Sequence, residues 1–207
     1  MKTFVYIDGF NLYYGAVRGT PYKWLNVYEL CRLLLPRHEI VRIKYFTARV
    51  VARPEDVDQP TRQQIFLRAL RTLPSVEIIF GHFLSTETMM PLVELKGGRR
   101  QYAKVIKTEE KGSDVNLATH LIRDAFRKEF AAAVLITNDS DLQEPVRIVR
   151  QELGLPVGIL NPHKRASRVL ARQASFVKQI RQGVLKKSQF PPTLQDQHGT
   201  ITKPKSW

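Results

Sequence analysis

From residue 3 to about residue 180 the chain alternates between two kinds of segment. Short runs dense in β-branched and aromatic residues are separated by longer stretches whose apolar side chains recur every three or four positions. Residues 3–7, 40–51, 76–80, 132–137 and 157–160 read as strands, with a further short one at Phe176 and Val177. Residues 11–17, 27–35, 59–70, 113–128, 141–153 and 166–171 read as helices, and Pro36 and Gly154 stop the second and the fifth. Val115, Leu117, Ala118, Leu121, Ile122 and Ala125 form one broad helical face, as a helix lying on a sheet requires. The run 132–137 is apolar almost throughout, as expected when helices cover both faces of a parallel strand. This alternation restricts the chain to an α/β fold with a mainly parallel central sheet.

The rhythm breaks between residues 81 and 107. Short β-prone segments around Gly97 and Gly98 predict a β-hairpin inserted at about 82–107. From Gly183 onward apolar residues thin out, so residues 1–182 read as one domain and 183–207 as a flexible basic tail. The whole chain of 207 residues carries 33 Lys and Arg against 19 Asp and Glu, a formal charge of +14. Removing the tail leaves 29 basic and 18 acidic residues, or +11, so the basicity belongs to the folded part and favours a polyanionic partner, nucleic acid before membrane. The first apolar run stops at Asp8, unlike a signal peptide, and the longest, 130–136, is far too short to span a membrane. One cysteine, Cys31, excludes a disulfide framework and fits a reducing, cytoplasmic setting.

In a parallel α/β sheet the residues just beyond the strand carboxyl ends converge on one edge, where ligands bind. Asp8 follows the first strand, Asp114 opens the helix after the hairpin, and Asp139 and Asp141 follow the strand at 132–137. Several carboxylates brought together raise one another's pKa unless a cation lies among them. Hard oxygen ligands suit Mg²⁺ or Mn²⁺, one or two ions, and such ions support in-line displacement at a phosphodiester. Each aspartate also has an ordinary structural reading. Asp8 before Gly9 suits a turn, Ser113 or Asp114 suits a helix N-terminus, and Asp141 with Glu144 resembles a capping box. Asp139 has no such alternative and is the most informative. Phosphate-binding glycine loops, a serine-hydrolase elbow and zinc-spaced histidines are all missing from the sequence, and Cys31 sits in a leucine-rich helix.

Three motifs occur together: Tyr6-Ile-Asp-Gly-Phe-Asn-Leu-Tyr13, Lys111-Gly-Ser-Asp114 and Thr137-Asn-Asp-Ser-Asp141. In order and spacing they resemble the NYN domain family of PIN-like nucleases, which includes LabA-like bacterial proteins, over residues 1 to about 180. The resemblance implies a three-layer α/β/α PIN-like fold and metal-dependent cleavage of RNA. Asp8, Asp114, Asp139 and Asp141 would then be the acidic cluster, supported by Asn11, and a homodimer through the hairpin or tail would be in keeping with PIN-like relatives. Two positions depart from the pattern. His120 stands where many relatives carry an acid, as either a neutral packing residue or a neighbour of the metal-bound water, and Asn138 stands where many have Gly.

The hairpin carries Lys96, Arg99, Arg100, Lys104 and Lys107 within twelve residues, with Tyr102 among them and Lys111 just beyond. Strand alternation would put several of these on one face, as a clamp for single-stranded RNA with Tyr102 as a stacking platform; an ordinary solvated hairpin is the alternative. Lys164 and Arg165 follow the 157–160 strand and should emerge at the acidic edge. Tyr13 and Tyr14 could stack on bases or belong to the core. The leading reading is a metal-dependent ribonuclease. A catalytically silent RNA-binding module and a DNA-directed nuclease are the alternatives.

Overall fold

Strand β1 (Lys2–Asp8) sets the layers. Its side chains alternate: Phe4 and Tyr6 enter one apolar cluster, Val5 and Ile7 the other, and all four are essentially buried. The computed structural model describes every residue except Arg53, Gly97 and Gly98, and of Leu95 and Lys96 it describes only the backbone. Around β1 lie β2 (Glu39–Thr47), β3 (Val76–Phe80), β6 (Ala132–Ile136), β7 (Val157–Asn161) and β8 (Phe176–Gln179). They form a six-stranded sheet in the order β3-β2-β1-β6-β7-β8, parallel throughout. This is a doubly wound order that reverses between β1 and β6, which places the crevice for a ligand at the carboxyl ends of those two strands.

Helices α2 (Val27–Leu34) and α3 (Gln59–Leu70) cover the Val5 and Ile7 face. Helices α4 (Ser113–Phe126), α5 (Gln143–Arg147) and α6 (Arg168–Gln173) cover the Phe4 and Tyr6 face. The α/β/α expectation therefore holds. Cys31 is buried in α2, and burial pushes its thiol up to about 12, so it stays protonated and inert.

The hairpin is longer than its sequence suggested. Strands β4 (His82–Lys96) and β5 (Arg99–Lys111) form a separate antiparallel ribbon, and the expected Gly97-Gly98 turn lies outside the described residues. The ribbon is rooted at the sheet edge by an edge-to-face contact of Phe83 with Phe10 at 5.7 Å.

The expected flexible tail is instead structured. Residues 183–207 contribute most of α7 (Gln182–Lys187) and the small hairpin of β9 (Thr193–Asp196) and β10 (Gly199–Thr202). Leu185, Phe190 and Ile201 are buried in the main core. Trp24, fully buried, donates its indole N–H to Pro191 O at 2.8 Å and packs against Phe190 and Trp207. Arg68 of α3 grips both carboxylate oxygens of Asp196, at 2.7 and 2.5 Å. The segment's apolar residues are few and far apart, so composition resembles a tail, but each one is spent on a contact.

One charged group is buried inside the α4 layer. Lys44 of β2 and Asp124 of α4, both fully buried, form an ion pair, and the Tyr6 hydroxyl donates to the same carboxylate at 2.8 Å. Arg123 donates to the other carboxylate oxygen at 2.9 and 3.1 Å. Burial pushes Asp124 up, but the hydrogen bonds from Lys44, Tyr6 and Arg123 outweigh it and hold the carboxyl below its usual range. His120 faces the Phe46 ring, and its Nδ1 accepts from Lys44 at 3.2 Å. Burial and the adjacent Lys44 and Arg123 cations lower its pKa, so it is a neutral packing and acceptor group. Lys44→Met leaves Asp124 buried without its main cation and should cost about 3–5 kcal/mol. Urea unfolding measures this, and an unchanged midpoint would contradict the assigned role.

Candidate active site

Asp8 ends β1 at the point where the chain turns into helix α1 (Gly9–Leu12). It caps that helix: its Oδ1 accepts from Asn11 N at 2.9 Å and its Oδ2 from Thr137 Oγ1 at 3.2 Å. Thr137 Oγ1 in turn accepts from Asp139 N at 3.1 Å, and Asp139 Oδ1 accepts from Asp141 N at 3.0 Å. The ends of β1 and β6 are thus laced together side chain to backbone. The turn reading of Asp8 and the functional one coexist, since capping uses lone pairs and leaves the charge.

Asn11 extends the lacing to the end of β7. Its Oδ1 accepts from Asn138 N at 3.0 Å and from His163 Nε2 at 3.1 Å, which fixes the ring tautomer with hydrogen on Nε2. Asn138 then binds the loop after β7, donating to Arg165 O at 3.1 Å and accepting from Ser167 N at 2.6 Å. A glycine at 138 would lack both bonds. The helical turn Tyr13–Val17 that continues α1 must approach closely for this: a Cβ on Gly15 would lie 2.7 Å from the His163 ring.

Asp114 comes from the opposite side, in the first turn of α4. Neither Ser113 nor Asp114 caps this helix. Gly112, in the left-handed region at φ 95°, occupies the cap position, and Glu110 of β5 accepts from Ser113 N at 3.1 Å. The Ser113 hydroxyl is buried with no hydrogen-bond partner among the described residues.

Asp8, Asn11, Glu110, Asp114, Asp139 and His163 line one cavity of about 480 Å³ at the switch point. Asp141 is exposed on the rim and does not line it, although its charge acts on Asp114. Loss of solvation, with the charges of Asp114 and Asp139, pushes Asp8 up to about 7 against the hydrogen bonds that favour its anion. Asp114 is raised by loss of solvation and by Asp139, Glu110 and Asp141. A divalent cation relieves this repulsion, and the donors are hard oxygens. Among the described residues no three acidic, histidine or cysteine side chains form a ready cage, so an ion held here would keep most of its water shell. Glu110, Asn138 and His163 were not singled out as site residues from the sequence; the paired acids at 109 and 110 before the Lys-Gly-x-Asp motif were the available signal for Glu110.

The basic residues divide into two sets. Lys164 and Arg165 are exposed on the loop that Asn138 pins, beside the cavity. Arg99, Arg100, Tyr102, Lys104 and Lys107 are exposed along β5 and do not line the cavity; the Lys96 side chain lies outside the described residues. Strand alternation puts Arg100, Tyr102 and Lys104 on one face and Arg99, Lys107 and Lys111 on the other. Lys104 pairs with Glu87, and Lys107 and Lys111 pair with Glu109 at 2.8 and 3.4 Å.

A doubly wound parallel sheet with carboxylates gathered at its switch point is the arrangement of a PIN-like α/β nuclease domain. The chain belongs to the NYN domain family, which matches residues 2–180 and is a family of PIN-like nucleases. It is 31% identical over 237 aligned positions to 6-hydroxy-3-succinoylpyridine 3-monooxygenase HspA of Pseudomonas putida (strain DSM 28022 / S16), covering all of this chain and 75% of that protein. Among solved structures it resembles VPA0982, a protein of unknown function from Vibrio parahaemolyticus, with a TM-score of 0.58, 18% identity and coverage of 87% of this chain and 93% of that one. That likeness concerns the fold. No helix among the described residues is long and apolar enough to cross a membrane.

Because Asp8 has a folded-state pKa of about 7 against an ordinary 3.8, folding favours its protonated form. Its contribution to stability is whole below pH 3.8 and is lost as the pH rises through about 7. In EDTA, Asp8→Asn should therefore stabilise the protein by about 2 kcal/mol at pH 8 and by little at pH 4. Thermal unfolding at the two pH values checks this; an equal effect at both would refute the assignment.

Proposed function

We propose that the protein is a metal-dependent ribonuclease acting on single-stranded RNA. The observation that carries this reading is the convergence of Asp8, Asp114 and Asp139 on one cavity, with the pKa values of Asp8 and Asp114 both raised by burial and then by their neighbours' charge. These three carboxylates would hold Mg²⁺ or Mn²⁺, with Asp141 acting from the rim. The ion would supply a water of lowered pKa and neutralise charge at the phosphodiester.

The chain's own groups provide the rest. Asn11 holds the β6 and β7 loops in register around Asp8. Lys164 and Arg165, exposed beside the cavity, would bind the RNA backbone, and the β5 cations would hold a more distant stretch of it. The six bonds that join Asp8, Asn11, Thr137, Asn138, Asp139, Asp141 and His163 set the cavity's shape before substrate arrives, which lowers the cost of positioning it. The monooxygenase name of the Pseudomonas relative describes that protein.

The deciding experiment is cleavage of labelled single-stranded RNA and DNA in Mn²⁺, in Mg²⁺ and in EDTA, alongside consumption of 6-hydroxy-3-succinoylpyridine. RNA cleavage that EDTA abolishes is expected. Tight RNA binding without cleavage would make the protein a silent binding module. Cleavage of DNA alone would make it a deoxyribonuclease, and consumption of the pyridine without RNA cleavage would overturn the nuclease reading. Asp139→Asn should lower cleavage by at least about 100-fold while RNA binding is kept or improved, because a negative charge has left the phosphate site; wild-type activity in the folded variant would remove Asp139 from the site. Arg99→Glu with Arg100→Glu should weaken RNA binding and flatten its salt dependence by about two counterions. An unchanged slope would exclude the ribbon from the interface.

A further inference from the structure

Next to the carboxylate cavity lies a second, smaller one of about 150 Å³. Its walls include Tyr13, Tyr45, Phe66 and Trp207, and its polar lining includes Gln59 and the Arg62–Asp56 ion pair. Phe10, Tyr14, Val50 and Gln59 line both cavities, so the two are contiguous. A void of this size holds one six-membered aromatic ring.

Tyr45 makes the cavity more than a packing defect. It is 6% exposed, and among the described residues its hydroxyl makes no hydrogen bond. Burial, with the charge of Asp8, raises its pKa, so the phenol is a proton donor throughout the physiological range. The hydroxyl is not itself sealed off from solvent, so its hydrogen bond is open to a ligand that enters the cavity. Tyr14, 48% exposed, stands where the two cavities meet, with the Arg18 guanidinium 5.3 Å from its ring centre. Neither tyrosine in the helical turn Tyr13–Val17, which continues α1, is simply core: Tyr13 walls the small cavity and Tyr14 its outlet.

Building on the ribonuclease reading, we propose that this cavity is a base subsite. It takes the heteroaromatic ring of the nucleotide beside the scissile phosphate, stacked among Tyr13, Phe66 and Trp207, with the Tyr45 hydroxyl donating to a ring nitrogen or carbonyl oxygen. The base is then read at a point contiguous with the carboxylates that would act on its phosphate. The volume admits a single ring and sets a preference for pyrimidines over purines.

Two measurements on the full chain in EDTA test this. In the first, uridine, cytidine, adenosine and guanosine 5′-monophosphates are titrated against intrinsic tryptophan fluorescence, to which Trp207 in the cavity wall contributes. A saturable change is expected with a pyrimidine nucleotide, at least fivefold weaker in Tyr45→Phe and lost in Val50→Phe, which fills the space. In the second, single-stranded RNAs carrying one abasic position are compared with intact RNA. One abasic position should weaken binding about tenfold in the wild type and not in Val50→Phe, matching the stacking worth of a base. If Val50→Phe does not fold, Tyr45→Phe, which keeps the ring, decides alone. Failure of every monophosphate to titrate, with every abasic RNA binding like the intact one, would overturn the proposal. Cleavage of RNA with that indifference would leave the ribonuclease reading intact; monophosphate binding without RNA cleavage would sink that reading and leave the ring site standing.

Discussion

The buried Lys44–Asp124 pair ties together three elements that the chain brings in from distant places: Tyr6 from β1, Lys44 from β2 and Asp124 from α4. Two charges out of water are tolerable only because each oxygen of the carboxylate has a donor. Hydrophobic contact alone would let a helix slide along a parallel sheet by a fraction of a turn, whereas a charge that must find its partner does not. Asp114 sits in the first turn of the same helix and Asp124 in its last. The ion pair therefore sets, from ten residues away, how far Asp114 reaches over the end of the sheet toward Asp8 and Asp139.

What the sequence made legible follows from how local its causes are. The strands and helices come from side-chain periodicity within a dozen residues, and the strand-end aspartates follow once the sheet is parallel. Asp8, Asp114 and Asp139 accordingly stand together in the structure. The lacing around them was not legible. Asn11 meets His163 across 152 positions and Asn138 meets Arg165 across 27, and no spacing rule connects such loops. Asp141 looked equivalent to Asp139, but its backbone amide is consumed by Asp139 and its side chain turns to the rim. The division of the hairpin cations and the pairing of Glu109 with its neighbours at 107 and 111 follow from simple alternation, whereas the pairing of Lys104 with Glu87 on the facing strand depends on register. Residues 183–207 were misread because composition averages over a segment, while Phe190, Ile201 and Trp207 act one contact at a time.

The electrostatics work at two distances. The net charge of +14 acts over a Debye length or more and gathers a polyanion near the surface without selecting where it lands. The carboxylates act at a few ångströms, where they disfavour a bare phosphate. The same molecule thus attracts its proposed substrate from afar and resists it at close range until the local negative charge is offset, which would couple occupancy by RNA to occupancy by a cation.

The clasp around Trp24 has a consequence for where this fold can be considered to end. The family match ends at residue 180 and the six-stranded sheet is complete by Gln179, although the alignment with the Pseudomonas protein runs over the whole chain. The layer over Trp24 and Phe66, however, is supplied by residues beyond that point: Phe190, the carbonyl of Pro191 and Trp207. The stretch that defines the family and the stretch that seals the core are different lengths of chain. The last two dozen residues therefore act as a lid on the core: a chain cut at the family boundary would keep every strand of the sheet and leave Trp24 and Phe66 open to water.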